Sequence, residues 1–342
     1  MEKIYIGMDL HKSTSSFCVM DKEGSILREQ RIPTTVTEVT KFIKSFGNGL
    51  NISLALEPVS QWYVFADLLE ELGVDVHLAH PRKLKAIATS FSKTDKLDSR
   101  IIADHLRTNH LPEAYHSPKE VRCWKEIVRS RSALVKLRTE TKNRVHAVLF
   151  KNGLTSPITS LFTKRGFAWL KSLEIEEHFR LSIQKYISVI NHLSLEIKEM
   201  EKTIQAKVME TKEMKILKSI PGIGNILSAT IMAEIGEIKR FKDPKQLQSY
   251  AGIVPWVHNS GESKWNGRIT KIGSSWLRFA VIEAVVGMAR TRTSSDLKDY
   301  FLRIKKAKNY QTATVATARK LLAIIWSVLK NERMFEARYL AI

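Results

Sequence analysis

Two apolar segments of the N-terminal third each end on a carboxylate, and this arrangement constrains the fold more than any other feature. The segments Lys3–Asp9 and Asn51–Glu57 have the pattern of buried strands that finish on an acidic residue. A strand that ends on a carboxylate places it at the rim of its sheet, where the sites of open α/β folds lie. Asp95 and Asp98 follow at the start of a predicted helix, and their spacing places them on one helical face.

The order of strands and helices in this third predicts an α/β fold. Three strands come first, joined by turn residues that include Asp21–Gly24, and β-α-β units follow. Three antiparallel strands followed by β-α-β units is the order of the ribonuclease-H-like fold, although a fold alone does not give a function. The predicted strands are 3–10, 15–21, 25–32, 51–57 and 74–79, and the predicted helices are 36–46, 60–72 and one that begins at Pro81.

The four carboxylates predict a metal site. If Asp9, Glu57, Asp95 and Asp98 converge, their charges repel one another and require cations between them. Carboxylate oxygens are hard ligands that suit Mg²⁺ or Mn²⁺. Such a set is typical of two-metal phosphoryl-transfer enzymes. His11, close to Asp9, is interpreted as a neighbouring structural group and not as a ligand.

The charge of the chain indicates a polyanionic partner. Its 342 residues include 55 Lys and Arg against 35 Asp and Glu, a formal net charge of +20. Nucleic acid is the leading candidate, and an inert basic surface is the alternative. The two cysteines provide no disulfide framework or zinc spacing, so we expect a reducing cytoplasm. We expect no signal segment and no membrane-spanning segment.

From about residue 117 the chain is predicted to be helical and basic. Within it, residues 181–208 repeat isoleucine every seven residues, at Ile183, Ile190, Ile197 and Ile204. This is the seam of a coiled coil. A helical hairpin within one chain is one interpretation, and a self-associating coiled coil, which the polar residues at most other positions favour, is the other. The second interpretation predicts a homo-oligomer, a dimer or a tetramer.

Two later segments have patterns that suit nucleic acid. The turn Pro221–Gly224 between two apolar helical stretches predicts a helix-hairpin-helix, in which Gly222 and Gly224 let backbone amides hold a phosphate; a plain turn between helices is the alternative. Ser260 precedes a glycine in a polar stretch and is followed by three cations. Such cations stabilise a serine alkoxide and a bound phosphate, although Ser-Gly is also an ordinary turn dipeptide. The three cations are Arg268, Lys271 and Arg278.

Taken together, these segments resemble the DEDD-type transposases of bacterial insertion sequences, a family of bridge-RNA-guided DNA recombinases. The matching N-terminal segments are Gly7–Lys12, Glu57–Tyr63 and Lys93–Arg100, which resemble a RuvC-like domain. The matching C-terminal segments are Ser219–Gly224, Ala251–Pro255, Asn259–Gly261 and Gly267–Gly273, which resemble the family's transposase domain. Order and spacing agree over nearly the whole chain.

The resemblance implies an activity and roles for particular residues. Asp9, Glu57, Asp95 and Asp98 would hold Mg²⁺, and Ser260 would be the nucleophile that forms a phosphoserine link to DNA. The implied partners are donor DNA, target DNA and a structured bridge RNA that reads sequence by pairing. The implied domains are a RuvC-like catalytic domain at 1–150, a helical coiled-coil segment at 151–212 and a transposase domain at 213–342.

The sequence departs from the family pattern in two places, and three other functions remain open. Pro58-Val59-Ser60 stands where members have Ala-Thr-Gly, and Glu262 and Lys264 interrupt a glycine-rich stretch. A junction-resolving endonuclease would use the same carboxylates without Ser260. A non-catalytic nucleic-acid scaffold would need neither. An actin-like ATPase would begin with the same Gly7-Met-Asp9 segment but would require a second phosphate loop.

Overall fold

The structure is a computed structural model in which the chain forms two compact units, Met1–Ser117 and Pro118–Ile342. The predicted boundary at residue 150 differs from this division, because the helix that begins at Lys119 packs within the second unit. The structure describes the backbone of residues 3–47, 51–59, 61–87, 95–260, 263–291 and 295–336. It describes their side chains except those of residues 86–87, 95–96, 210, 258–260 and 263–266.

The first unit is a five-stranded mixed sheet with helices packed against it. The strand order is β3-β2-β1-β4-β5, with β1, β2 and β3 antiparallel and β1, β4 and β5 parallel. Its elements are β1 (Lys3–Leu10), β2 (Thr14–Met20), β3 (Ile26–Pro33), α1 (Val36–Lys44), β4 (Asn51–Leu56), α2 (Trp62–Glu71), β5 (Asp75–Leu78), α3 (Pro81–Ile87) and α4 (Asp95–Arg107). The α/β prediction for this part of the chain is confirmed, and strand and helix bounds agree to within two residues.

The sheet is strongly buried because its central strands are covered on both faces. β1 has the apolar pattern of a strand buried on both sides, and Ile6, Met8 and Leu10 are fully buried. Helix α4 crosses β1 so closely that a Cβ built on Gly7 would lie 2.0 Å from the Ser99 carbonyl oxygen. Only glycine at residue 7 permits this approach, and it brings the start of α4 to β1.

The second unit is mainly helical, as predicted. Its elements are α5 (Lys119–Lys151), α6 (Lys164–Ser172), α7 (Glu177–Glu210), α8 (Lys212–Lys218), α9 (Asn225–Ile235), α10 (Pro244–Tyr250), β6 (Pro255–Ser260), β7 (Ser263–Ile269), α11 (Ser275–Arg290), α12 (Asp296–Ala307) and α13 (Tyr310–Lys330), with a short 3₁₀ helix at Ile238–Arg240. Its main core lies among α8, α9, α11 and α13. Helix α13 is long and apolar enough to span a membrane by composition, but most of it is buried in this core.

The isoleucine seam of α7 packs within one chain. Helices α5 and α7 run side by side as a long antiparallel hairpin, and Arg131 Nε of α5 donates to Glu201 Oε1 of α7 at 3.0 Å. Ile183 and Ile190 pack against Val145 and Leu149 of α5 and their neighbours, and the rest of the seam is equally buried. The interpretation of this seam as a contact between protomers is therefore wrong, because α5 already covers it.

Candidate functional site

The sheet brings Asp9 and Glu57 to the same edge. β1 and β4 pair in parallel with Met8 opposite Leu56, so the two acidic residues come next on neighbouring strands. Neighbouring strands lie about 4.8 Å apart, so the two acidic residues are close neighbours at this edge. Asp9 is buried, with 4% of its surface exposed, and Glu57 is half-buried. Burial of a carboxylate next to a second one is costly unless a cation compensates the charges.

Helix α4, which carries Asp98, packs against β1 near this edge. Ser99, which follows Asp98, lies against Gly7, two residues before Asp9 on β1. Asp98 is half-buried. Asp95 is the first residue of α4, one helical turn before Asp98, but its side chain lies outside the described residues. The fold thus brings Asp9 and Glu57 to one edge of the sheet, and α4, which carries Asp98, packs on β1 at Gly7, two residues before Asp9.

His11 lies close to Asp9, as the sequence indicated. Its Nε2 is 3.1 Å from Asp9 Oδ2, its ring is about half exposed, and the Gln61 amide donates to its carbonyl oxygen at 2.8 Å. Among the side chains that the structure describes, no group of three or more His, Cys, Asp or Glu is placed to hold a metal ion. The carboxylate oxygens at this edge are nevertheless the type of ligand that a hard divalent cation prefers.

Ser260 lies at the end of an antiparallel hairpin in the second unit. β6 ends at Ser260, which pairs with Ser263 at the start of β7, and residues 261–262 between them lie outside the described part of the chain. The serine therefore stands at the tip of a two-stranded ribbon, although its side chain is also outside the described set. The sequence placed it in a loop or hairpin, which agrees with this backbone.

The base of the hairpin is fixed by close backbone contacts. Lys271 N donates to the Gly252 carbonyl at 3.0 Å, and Ser274 N donates to the Tyr250 carbonyl at 2.7 Å. Gly252 and Gly273 have positive φ angles, and a Cβ on Gly273 would lie 2.2 Å from that same Tyr250 oxygen. The two glycines are needed because no other residue fits these conformations at this spacing.

The three cations that follow Ser260 have different surroundings. Arg268 and Lys271 are exposed. Arg278 is half-buried; its Nη1 donates to the Ala251 carbonyl at 2.8 Å, and burial lowers the pKa of its guanidinium from the ordinary value. Arg278 therefore holds the base of the hairpin, whereas Arg268 and Lys271 face solvent where a phosphate can reach them.

The two glycines of the Pro221–Gly224 turn also differ. Gly222 has φ of 91°, and a Cβ on it would lie 2.2 Å from the Ala284 carbonyl oxygen of α11, so it is required for packing. Gly224 precedes the first residue of α9, is exposed, and has open space where a Cβ would be. The turn does join two helices, α8 and α9. Binding of a phosphate by this turn remains a prediction.

A buried charge cluster, which the sequence reasoning missed, supports the hairpin base. Glu234 on α9 is fully buried and accepts two hydrogen bonds from Arg129 of α5, at 2.8 and 3.0 Å. Its Oε2 also accepts from Ser274 Oγ at 2.9 Å, and Ser274 in turn accepts from Leu277 N as the N-cap of α11. Glu234 therefore joins α5 to the residue that closes the hairpin base. The available signal was the single charged residue of this helix.

The same cluster contains buried cations. Lys125 and Arg122 of α5 have only 7% and 6% of their surface exposed. Burial lowers the pKa of Lys125 to about 8; Glu234 opposes this shift, and the guanidinium groups of Arg129, Arg240 and Arg122 reinforce it. Burial also raises the pKa of the Tyr250 hydroxyl, which lies beside Arg240.

Two family models match the chain in the two regions that carry these features. Residues 6–151 match the DEDD transposase family of IS110 elements, and residues 214–302 match the family described as "Transposase IS116/IS110/IS902 family". The first match contains the carboxylate edge and ends with α5, one helix beyond the first compact unit. The second contains Glu234 and the β6–β7 hairpin.

Similar proteins align with almost the full chain. The transposase of insertion sequence element IS1111A of Coxiella burnetii is 24% identical over 339 residues, covering 96% of this chain and 90% of its own. The IS1328 transposase of Yersinia enterocolitica is 24% identical, and the alignment covers 96% of this chain and 98% of the relative. The pilin gene-inverting protein of Moraxella lacunata is 25% identical, with 99% of both covered. Two family matches in consistent order and full-length relatives show that this chain belongs to the IS110-type DEDD transposases, enzymes that recombine DNA.

Proposed function

We propose that this transposase cuts and rejoins DNA through Ser260, with Mg²⁺ or Mn²⁺ held by Asp9, Glu57, Asp95 and Asp98. The observation that supports this most directly is that Asp9 and Glu57 follow neighbouring parallel strands, while α4 packs on β1 at Gly7. Members of the DEDD transposase family typically use divalent metal ions. Such an ion, when bound, would stabilise charge on the phosphate that is attacked.

The protein's own residues supply the nucleophile and its surroundings. The Ser260 oxygen forms a bond to phosphorus, the bond from phosphorus to one deoxyribose oxygen breaks, and the serine proton is released as that oxygen takes up a proton. One phosphoester bond replaces another, so the energy of the broken strand is retained for rejoining. Arg268 on β7 and Lys271 at the base of the hairpin are both exposed and would neutralise phosphates of DNA that runs along the ribbon.

The proposed partners are donor DNA, target DNA and a structured bridge RNA. Base pairing to the RNA would read sequence, while the protein contacts the backbone of the nucleic acids. The net charge of +20 supports binding to several polyanionic strands at once. Gly224 and the first turn of α9 would add a contact to one backbone phosphate.

Assembly of the site is also part of the proposal. The carboxylate edge and Ser260 belong to different compact units, and we infer that either one chain or two protomers of a homo-oligomer supply them to the DNA. Because the α7 seam is covered by α5, such an oligomer would use other surfaces. The RuvC-like, helical and transposase parts proposed at 1–150, 151–212 and 213–342 would contribute catalysis, spacing and the nucleophile, respectively.

The test compares Ser260→Ala with Ser263→Ala, a matched change on the opposite strand of the hairpin. Labelled DNA of the element's end is incubated with the protein, Mg²⁺ and RNA from the flanking non-coding region, and resolved on a denaturing gel. Wild type and Ser263→Ala should give a slow, protease-sensitive adduct, whereas Ser260→Ala should give neither adduct nor cleavage. Asp9→Asn and Asp98→Asn should also lose both products while keeping the fold.

The gel also separates this mechanism from hydrolysis by water. A junction-resolving nuclease would leave free nicked ends, no adduct, and full activity in Ser260→Ala. An adduct that persists in Ser260→Ala would place the nucleophile elsewhere in the chain.

A further inference from the structure

The β6–β7 hairpin presents apolar side chains that its own unit does not cover. Among the described strands, β6 and β7 pair only with each other, and an isolated two-stranded hairpin is marginally stable in water. Two consecutive large apolar side chains of β6 are nevertheless exposed, Trp256 at 49% and Val257 at 55%. These two neighbouring side chains form an exposed apolar surface on the ribbon that a bound partner can cover.

A β-bulge lies opposite this tryptophan. Pro255 pairs with Ile269 and Val257 with Asn266, so the single residue Trp256 faces two residues of β7, Gly267 and Arg268. A bulge bends the ribbon and redirects the side chains beside it, and such bulges are frequent next to active sites. Arg268 is exposed, so an indole and a guanidinium face solvent at facing positions on the two strands.

We propose that Trp256 stacks on an unpaired base of the DNA strand that reaches Ser260, while Arg268 contacts a phosphate beside that base. A flat aromatic face next to a cation is the combination that binds single-stranded nucleic acid without reading its sequence. Trp256 precedes Ser260 by four residues of an extended strand, about 13 Å. That length corresponds to about four stacked nucleotides, so the base would lie about four nucleotides from the cleaved phosphodiester.

The charge around the tryptophan favours nucleic acid over a protein partner. Arg268 lies opposite it and Lys271 is exposed at the base of the same ribbon, so the apolar patch is bordered by cations. The choice of DNA over RNA rests on the proposed function, because Trp256 shares its strand with the proposed DNA nucleophile. The stacking itself does not require that function, since it needs only the indole and a base.

Direct binding measurements on the full-length protein test the proposal. The probes are a fluorescent DNA strand of about 20 thymidines and an abasic strand with the same number of phosphates. Wild type should bind the base-bearing strand more tightly, and Trp256→Ala should weaken that binding by about tenfold while leaving binding of the abasic strand unchanged. Trp256→Phe should retain most of the preference because phenylalanine also stacks. Arg268→Ala should weaken binding of both strands by a similar factor, because both carry the phosphates.

Two control variants make the result specific. Phe150→Ala removes an aromatic side chain that is 87% exposed at the end of α5, and should leave both affinities unchanged. Ser260→Ala should keep the preference for bases, so loss of the proposed nucleophile role would not remove it. The proposal is overturned if Trp256→Ala binds the thymidine strand with wild-type affinity, or if its affinity for the thymidine and abasic strands falls by the same factor. It is also overturned if the affinity of Trp256→Ala falls only for an RNA strand of the same length.

Discussion

Lys125 offers a quantitative test of the buried charge cluster around Glu234. Its side chain is 7% exposed, and its pKa in the folded chain is about 8, against an ordinary value of 10.5. The lowered value means that the folded protein binds this proton more weakly than the unfolded chain does. Between these two values the unfolded chain holds more protons, so the contribution of Lys125 to stability rises with pH.

The magnitude follows from the difference between the two pKa values. A tenfold change in proton affinity corresponds to about 1.4 kcal/mol, so the full effect is about 3 kcal/mol. At pH 7 the protonated, buried Lys125 is held among three guanidinium groups and one carboxylate. We therefore expect Lys125→Met, which fills the same space without a charge, to be more stable than wild type at pH 7.

The assay is urea unfolding of wild type and Lys125→Met, followed by far-ultraviolet circular dichroism from about pH 7 to pH 10.5. The difference in free energy of unfolding between Lys125→Met and wild type should fall by about 3 kcal/mol over this range. Other titrating groups are common to both proteins and cancel in the comparison. Lys136→Met, on the same helix but 80% exposed, should show no such change. A constant difference between wild type and Lys125→Met across this range would refute the burial of a charged lysine in this cluster.

Three further substitutions test how the units hold their sites. Gly7→Ala should lower the free energy of unfolding in urea by more than about 2 kcal/mol, because the added Cβ would push α4 away from β1. Gly287→Ala is the control and should leave stability unchanged, because its Cβ would lie 3.6 Å from the nearest atom. Glu234→Ala should lower the free energy of unfolding by about 3 kcal/mol. If the same substitution lowers it by less in an Arg129→Met background, the double-mutant cycle confirms that the two side chains are coupled. Ile190→Asp should lower the unfolding temperature, because it buries a charge in the α5–α7 hairpin, and should leave the mass in solution unchanged. A variant that keeps its unfolding temperature but has a lower mass would show that the seam joins two protomers.

The local patterns of the sequence were sufficient to predict the elements of the first unit. Apolar runs of strand length, separated by Asp21–Gly24 and by short helical patterns, gave bounds within two residues of those observed. These features are local, because strand propensity and turn residues depend on neighbours in the sequence.

The sequence was ambiguous wherever a pattern specifies burial but not the partner. The repeat of Ile183, Ile190, Ile197 and Ile204 predicts an apolar stripe, and the same stripe suits a second protomer or a neighbouring helix. Only the tertiary structure shows that α5 covers it. Similarly, Gly222 has the φ angle of a turn, but its close contact with α11 is visible only in three dimensions.

The sequence by itself determined the α/β class of the N-terminal third, the helical class of the remainder, the excess of positive charge and the motifs of an insertion-sequence transposase. These follow from composition, periodicity and order along the chain. The tertiary structure decided which cations are exposed and which are held inside, since Arg278 contacts the Ala251 carbonyl while Arg268 is exposed. It also decided that Glu234 joins α5 to the hairpin base. The physical reason is that charge and burial depend on which side chains meet in space, and residues as far apart as Arg129, Glu234 and Ser274 meet only when the whole unit has folded.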